Sequence, residues 1–443
     1  MKIQLSEHFS YKKLIRFTIP TIIMMIFTSI YGVVDGIFVS NCVGSDAFAA
    51  VNLIMPALMI FGSIGFMIGT GGSALISKTI GQGEKEKANK YFSMLIYLLI
   101  VITLIFTIIG IVFIEPVSKL LGANETMLEY CVTYGRTVLI FLVAFVLQNA
   151  FQSFIIVAEK PTLGLIITII AGITNMLLDF LFMYVLKIGV FGAALATGIS
   201  QIIGGIIPFV YFIRKNSSPL KLTKTKFEWK AILQACANGS SEMVTNLSLS
   251  LVNMLFNMQL MNYAGADGVV AYGIIMYVGF IFIGTYLGYS IGTAPIIGYN
   301  YGAGNTDELK SLLKKSLKLI FITAIVMTAV AELFSKSLAS IFVSYDIELL
   351  KMTTRAIRLY ALSYLISGFN IFSSSFFTAL NNGVVSAAIS FFRTLVFQIV
   401  MIFVLPLILG LDGIWLSVVF AEILSLVVSS IFLVVNRKKY QYA

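Results

Sequence analysis

The chain has 443 residues, 59% of them hydrophobic and 11% charged, with a formal net charge of +10. A soluble domain carries roughly 25% charged residues, so this is an integral membrane protein, and the period-2 alternation of an outer-membrane barrel is absent. Three scattered cysteines (Cys42, Cys131, Cys236) without a CxxC pair, and one histidine in the polar N-terminal tail (His8), exclude a disulfide framework, a metal site and a histidine proton relay.

Apolar segments of ~20 residues, enough to span a bilayer as helices, recur along the whole chain. Twelve are expected, near 14–39, 50–78, 91–113, 130–155, 161–185, 190–213, 235–260, 271–298, 312–333, 352–377, 383–405 and 412–435. The first is longer than a signal-peptide core and lacks a cleavage site, so it is read as a retained helix. With a cytoplasmic N-terminus, the cytoplasmic segments hold Lys2, Lys12 and Lys13, then Lys85, Lys87 and Lys90, then Lys160. They continue with Arg214, Lys215, Lys221, Lys224, Lys226 and Lys230, with Lys310, Lys314, Lys315 and Lys318, and with Arg437, Lys438 and Lys439. The other side keeps few, such as Lys119, Lys187, Lys336 and Lys351. This positive-inside pattern places both termini in the cytoplasm. The basic runs are therefore topology signals, not a nucleic-acid surface, and the expectation is a multi-pass protein of the inner (plasma) membrane, a monomer whose partners are the bilayer and its substrates.

The chain repeats itself at a shift of 221 residues. "NCVGSDAFAAVNLIMP" meets "NYAGADGVVAYGIIMY", pairing Asn41 with Asn262, Gly44 with Gly265, Asp46 with Asp267 and Met55 with Met276. "GQG" at 81–83 meets "GAG" at 302–304, Phe151 meets Phe372, and Gly189 meets Gly410. Each half then has six helices, and an even number makes the copies parallel, related by an axis along the membrane normal. Such a design suits two bundles that rock about a central cavity. The expected division is an N-lobe over 1–213, a charged cytoplasmic linker over 214–230 and a C-lobe over 231–443, all-α throughout.

Ionisable residues inside a membrane are the default functional candidates. The first half has Asp35, and Asp179 with Asn175 one turn before it on the same face. The next helix carries Thr197 and Gln201 on one face. At 1.5 Å per residue, Asp179 lies roughly 15 Å and Thr197 roughly 12 Å below the turn at Gly189, and Asp35 about 9–14 Å below the first outer turn. These groups share one level, with Tyr31 a turn below Asp35 and Tyr134 near the outer surface. Under the 221 shift, Asp35 falls on Phe256, Asn175 on Val396, Asp179 on Val400 and Thr197 on Val418. The scaffold is duplicated and the polar cluster is not, which marks the cluster as functional. Two carboxylates together at low dielectric do not both stay ionised. Such a site takes up a proton from outside, or holds Na+ among its carboxylate, amide and hydroxyl oxygens. The residues leave both open.

Other features carry two readings. Pro20 removes a backbone hydrogen bond from the first helix, making either a hinge linked to Asp35 or a static kink. Pro295 is ambiguous in the same way. Glu242 and Glu422 are secondary acids, the latter falling on Gln201 under the shift, and Arg393 is expected to pair with one of them. "GTGGSALISKTIGQG" at 69–83 lacks the phosphate-loop spacing, so its glycines are read as allowing close helix packing. Met24 beside Gln148, Gln152 and Gln201 is a candidate lining for a substrate cavity, together with Tyr31.

The chain resembles the MATE family of multidrug and toxic compound extruders over essentially its whole length. The resemblance is carried by "IPTIIMMIFTSIYGVVDGIFVS" with Pro20 and Asp35, "AAVNLIMP", "GTGGSALISKTIGQG", and "NMLLDF" followed by "GAALATGISQ". It implies a cation site in the N-lobe at Asp35, Asn175, Asp179 and Thr197, with Tyr134 near them, and exchange of inward H+ or Na+ for outward organic cations. No cofactor and no enzymatic activity are implied. The chain departs from another branch, which has an acid on the tenth helix, because "YLISGFNIFSSSF" offers Asn370 there.

The resulting expectation is a secondary antiporter in which protonation neutralises the acidic cluster, releases an amphipathic cation outward and lets the first helix relax at Pro20. A lipid-linked saccharide flippase of the same superfamily is the alternative. It would want basic residues in the central cavity, and apart from Arg393 the spans hold few. An intramembrane enzyme would need a nucleophile–base pair or a metal cluster, and a channel would not need a counter-ion.

Overall fold

The computed structural model describes residues 3–344 and 346–442; Lys2 lies outside them. Among the described residues every regular element is helical. The first half comprises α1 (Tyr11–Cys42), α2 (Ser45–Gly81), α3 (Lys85–Leu120), α4 (Glu125–Ile140), α5 (Leu142–Val157), α6 (Pro161–Asp179) continued by a π-helical turn (Phe180–Val185), and α7 (Gly189–Ile213). The second comprises α8 (Trp229–Gly302), α9 (Thr306–Leu333), α10 (Ser335–Val343), α11 (Ile347–Ala361), α12 (Tyr364–Ala379), α13 (Gly383–Phe391) with a second π turn (Phe392–Val396), α14 (Phe397–Leu409) and α15 (Leu411–Tyr440).

Among these residues nine helices are long and apolar enough to cross a membrane, and the bent pair α4–α5 makes a tenth span. α8 counts once among the nine, yet it is broken at Gly265 (φ 62°, ψ −151°) into two of the expected helices. α11 with α12 supplies the last. Twelve membrane helices in two six-helix halves result, as the sequence predicts.

Several helices outrun their apolar stretches. Hydropathy marks only the part inside hydrocarbon, whereas capping and ion pairs carry the helix into water. α3 continues past 113 through the Lys119–Glu115 pair (2.7 Å), and α1 begins at a cap where Ser10 Oγ accepts from the Lys13 amide. The span expected over 130–155 is instead two helices meeting at 61°. Phe141, at the bend, lies against Gly198 of α7. The Leu139 carbonyl accepts from Thr107 Oγ1 of α3 at 3.2 Å, which satisfies a backbone group near the bend. The expected 352–377 helix is broken too, at Leu362, the residue 221 positions after Phe141. α10, within a stretch read as an outer connection, was not legible as an element.

The repeat is present in the backbone. Left-handed φ values occur in three glycine pairs at the 221 spacing: Gly44 and Gly265 (119° and 62°), Gly83 and Gly304 (85° and 69°), Gly189 and Gly410 (66° and 59°). Each marks the same turn in the two halves, where a side chain would be strained.

The halves meet along α1, α2 and α8, toward the face that holds both termini. There Gly71 of α2 abuts the Ala235 carbonyl of α8, and Gly239 abuts the Met67 carbonyl. Lower down, Gly81 abuts the Tyr299 carbonyl and Gly302 the Lys78 carbonyl. A Cβ at any of the four would strike backbone, so these glycines bring the helix axes together. The α1–α8 contacts run from Thr18–Gly292 to Met25–Gly284. One buried cluster is built on α2–α5 and α7 and takes in Ala231, Ile232 and Ala235 at the start of α8; another is built on the outer parts of α8, α11 and α15. A third cluster, on the terminal face, draws on both halves.

The stretch 214–228 contains no helix and lies along α3. Lys221 N donates to Asn89 Oδ1 at 2.7 Å and Thr223 N to Ser93 Oγ at 2.8 Å.

Candidate cation site

Four elements of the first half bring their polar side chains to one place. Asp35 projects from α1, Asn175 and Asp179 from α6, Thr197 from α7 and Tyr134 from α4. Asp179 is fully buried (0% exposed) and Asn175 is 2% exposed. The carboxyl groups of Asp35 and Asp179 lie within hydrogen-bonding reach of one another. The Tyr134 hydroxyl lies beside Thr197, faces both aspartates and points at the Met55 sulfur 3.9 Å away. Asp179 is the last residue of α6, and the π turn begins at the next position. Turns of this kind occur often at functional sites. The equivalent positions of the second half, 401–406, are ordinary α-helix within α14.

The electrostatics of the cluster are unbalanced. Among the described residues, no basic side chain acts on either aspartate. Asp35 Oδ1, both Asp179 oxygens, Asn175 Oδ1 and Thr197 Oγ1 are buried and accept or donate no hydrogen bond. Two facing carboxylates contain no donor, so their approach becomes attractive only when a proton or a cation enters between them. A buried bare carboxylate is very costly. The four side chains offer hard oxygen donors, the set that suits H+ or Na+ rather than a softer metal.

Tyr31 contacts Gln148 and faces Asp35. Gln148, Gln152 and Gln201 are buried, and each has a side-chain oxygen without a bond. Met24, Gln148 and Gln152 line a crevice of about 20 Å³, room for about one water; Gln201 is outside its lining. Pro20 lies within a continuous α1, and the α8 contacts begin around it, with Gly292 on Thr18 and Gly288 on Ile22.

The second half is arranged differently. Arg393 grips Glu422 with Nη2 at 2.8 Å and Nε at 2.9 Å, and Asn370 Nδ2 donates to the same carboxylate at 2.7 Å. Ser429 Oγ in turn donates to Asn370 Oδ1 at 3.0 Å. Glu422 is 3% exposed and fully engaged. Glu242 is half-buried and feels the Arg393 charge without contacting it. Arg393 and Glu422, with the aromatic residues Phe256, Tyr272 and Tyr360, line a cavity of about 190 Å³. Of its lining, the sequence marks only Arg393 and Glu422 as candidates. Tyr272 and Tyr360 look like ordinary span aromatics, and only their placement makes them cavity walls.

Two parallel six-helix halves, one of them holding a membrane-embedded polar cluster, define a polytopic transporter. The MatE family's sequence model matches residues 20–181 and 242–404, one stretch in each half, and the chain belongs to that family. It is 25% identical over 416 residues, 93% of this chain and 90% of the relative, to the multidrug export protein MepA of Staphylococcus haemolyticus. It is 22% identical to MepA of Staphylococcus aureus, over 93% of this chain and 91% of that protein. Its fold superposes, with a TM-score of 0.92 at 23% identity, on a multidrug resistance MATE family transporter of the MOP superfamily in an outward-facing conformation, covering 98% of both chains.

Proposed function

We propose that this protein is a secondary antiporter that exports amphipathic organic cations in exchange for inward H+ or Na+. The observation that carries the reading is the Asp35–Asp179 pair, two carboxylates in a membrane half without a basic partner among the described residues, at positions the second half fills with Phe256 and Val400. A site that must bind and release a cation each cycle cannot hold a fixed counter-charge. Asn175 and Thr197 complete the shell, and Tyr134 sits beside it. The names of the MepA relatives support multidrug export as the transport task.

The termini are cytoplasmic by the positive-inside pattern, in the plasma membrane. The lobes are 1–213 and 231–443, joined by 214–230. Contact between halves along the terminal face then corresponds to a state closed to the cytoplasm and accessible from outside. A cation entering from outside neutralises the aspartates, weakens their hold on an organic cation and favours reclosure, with Pro20 allowing α1 to relax. Exchange of one proton for one monovalent cation is electroneutral and draws about 1.4 kcal/mol per pH unit. The flippase alternative lacks support, since Glu422 already neutralises the one arginine in the cavity wall.

The test is efflux of a fluorescent organic cation from energised cells carrying the wild type or Asp35→Asn. Collapse of the proton gradient with sodium held inward separates the two ions. Normal export by Asp35→Asn at equal expression would overturn the assignment.

A further inference from the structure

We propose that residues 3–10 form a strap that latches the two lobes together on the terminal face, and that Phe9 must leave its seat on α9 for that face to open. The inference rests on the alternating-access reading above.

The strap is bonded to both halves of the molecule. At one end the Leu5 amide donates to Glu159 Oε1 (3.0 Å), in the turn between α5 and α6 of the first half. At the other, the Phe9 amide donates to Glu308 Oε1 (2.9 Å), and His8 Nδ1 meets Glu308 Oε2 at 2.6 Å. Lys315 Nζ donates to the Phe9 carbonyl at 2.5 Å. Glu308 and Lys315 belong to α9 of the second half. Of the strap's three hydrophobics, Leu5 and Phe9 are sunk, at 1% and 0% exposure, and Ile3 is half-buried. Leu5 and Phe9 enter the cluster that joins Ile155 and Ile156 of α5 to Leu309, Phe376 and Tyr440.

Polar termini ordinarily fray unless they are tied down. Here a fully buried phenylalanine is fixed by hydrogen bonds on both of its backbone groups. The Glu308 carboxylate, 6% exposed, takes its partners from the strap.

The geometry limits what can move. Phe9 is separated from the start of α1 at Tyr11 by Ser10 alone, a tether of at most about 7 Å. α1 travels with the first lobe and α9 with the second. When the lobes part on this face by more than that slack, the bonds of Phe9 to Glu308 and Lys315 break. Phe9 then swings into water, and the Glu308 carboxylate loses its backbone donor. The strap therefore biases the molecule toward the state closed on this face.

The experiment is a spin-label distance measurement across the terminal face in lipid nanodiscs. Labels are placed at Glu86 and Lys314, both exposed, after the native cysteines are replaced. Wild type is compared with Phe9→Ala, with Glu308→Gln, and with residues 2–9 deleted. Glu308→Gln keeps side-chain size, so it reports on the latch even if Phe9→Ala folds poorly. The expected result is a gain in the long-distance population of roughly ten- to a hundredfold, the scale of a hydrogen bond to a charged group. Unchanged distances in all three variants, with substrate or pH still shifting the wild type, would overturn the latch and leave the transport reading standing. A distance distribution that no variant, substrate or ion alters would overturn both.

Discussion

Gly302 rests on the carbonyl of Lys78, and the contact is the repeat image of Gly81 on the carbonyl of Tyr299. Moving 221 residues along from Gly81 gives Gly302, and moving 221 back from Tyr299 gives Lys78. The seam between the halves is thus self-complementary, as a two-fold interface between subunits would be. Ser77 and Gly298, also 221 apart, touch each other, which puts the pseudo-two-fold axis between them.

That packing predicts a graded response to added methyl groups. Gly302→Ala and Gly71→Ala each push a Cβ into backbone that cannot yield, so each should destabilise the closed seam by about 1–3 kcal/mol. Gly273→Ala, where nothing lies within 4 Å, should be near neutral. Thermal melting of purified protein, together with the terminal-face label distance, checks the order.

Asp35→Asn and Asp179→Asn should each abolish coupled export, a loss of tenfold or more, without lowering the melting temperature. An amide removes one of two facing charges that have no counter-ion among the described residues, so the fold loses nothing it relies on. Dye efflux at matched expression, alongside melting in detergent, separates the two effects.

Arg393→Met should destabilise strongly, by about 3–5 kcal/mol, because it leaves Glu422 buried and unpaired. Arg393→Met combined with Glu422→Gln should recover most of the loss, since replacing both partners removes the stranded charge. If the double variant still exports dye with wild-type dependence on the ion gradient, the second-half pair is structural. Loss of coupling in the double variant would instead place it in the transport cycle.

The coupling ion itself is open to direct measurement. Purified protein reconstituted with a pH dye should release or absorb protons when an organic cation is added, if H+ is the exchanged ion. The signal should vanish in Asp35→Asn. A sodium-coupled protein would give no proton signal and would show sodium-dependent binding of the organic cation.

The sequence by itself determined the membrane class, the helix count, the parallel repeat and the identity of the asymmetric acids. Those properties rest on local hydropathy, on a constant spacing and on which residue types a bilayer penalises, all of which are written along one dimension. The tertiary structure alone decided what each acid faces. Asp35 and Asp179 are 144 residues apart in the chain, and only the packing of α1 beside α6 makes them a pair without a counter-ion. Glu422 is as anomalous in the sequence as Asp179, yet a guanidinium one helix away satisfies it. The N-terminal tail reads as a polar end, and its seat on α9 depends on a carboxylate 299 residues further on. Pairing across such distances is set by how the helices stack, and hydropathy and spacing carry no record of it.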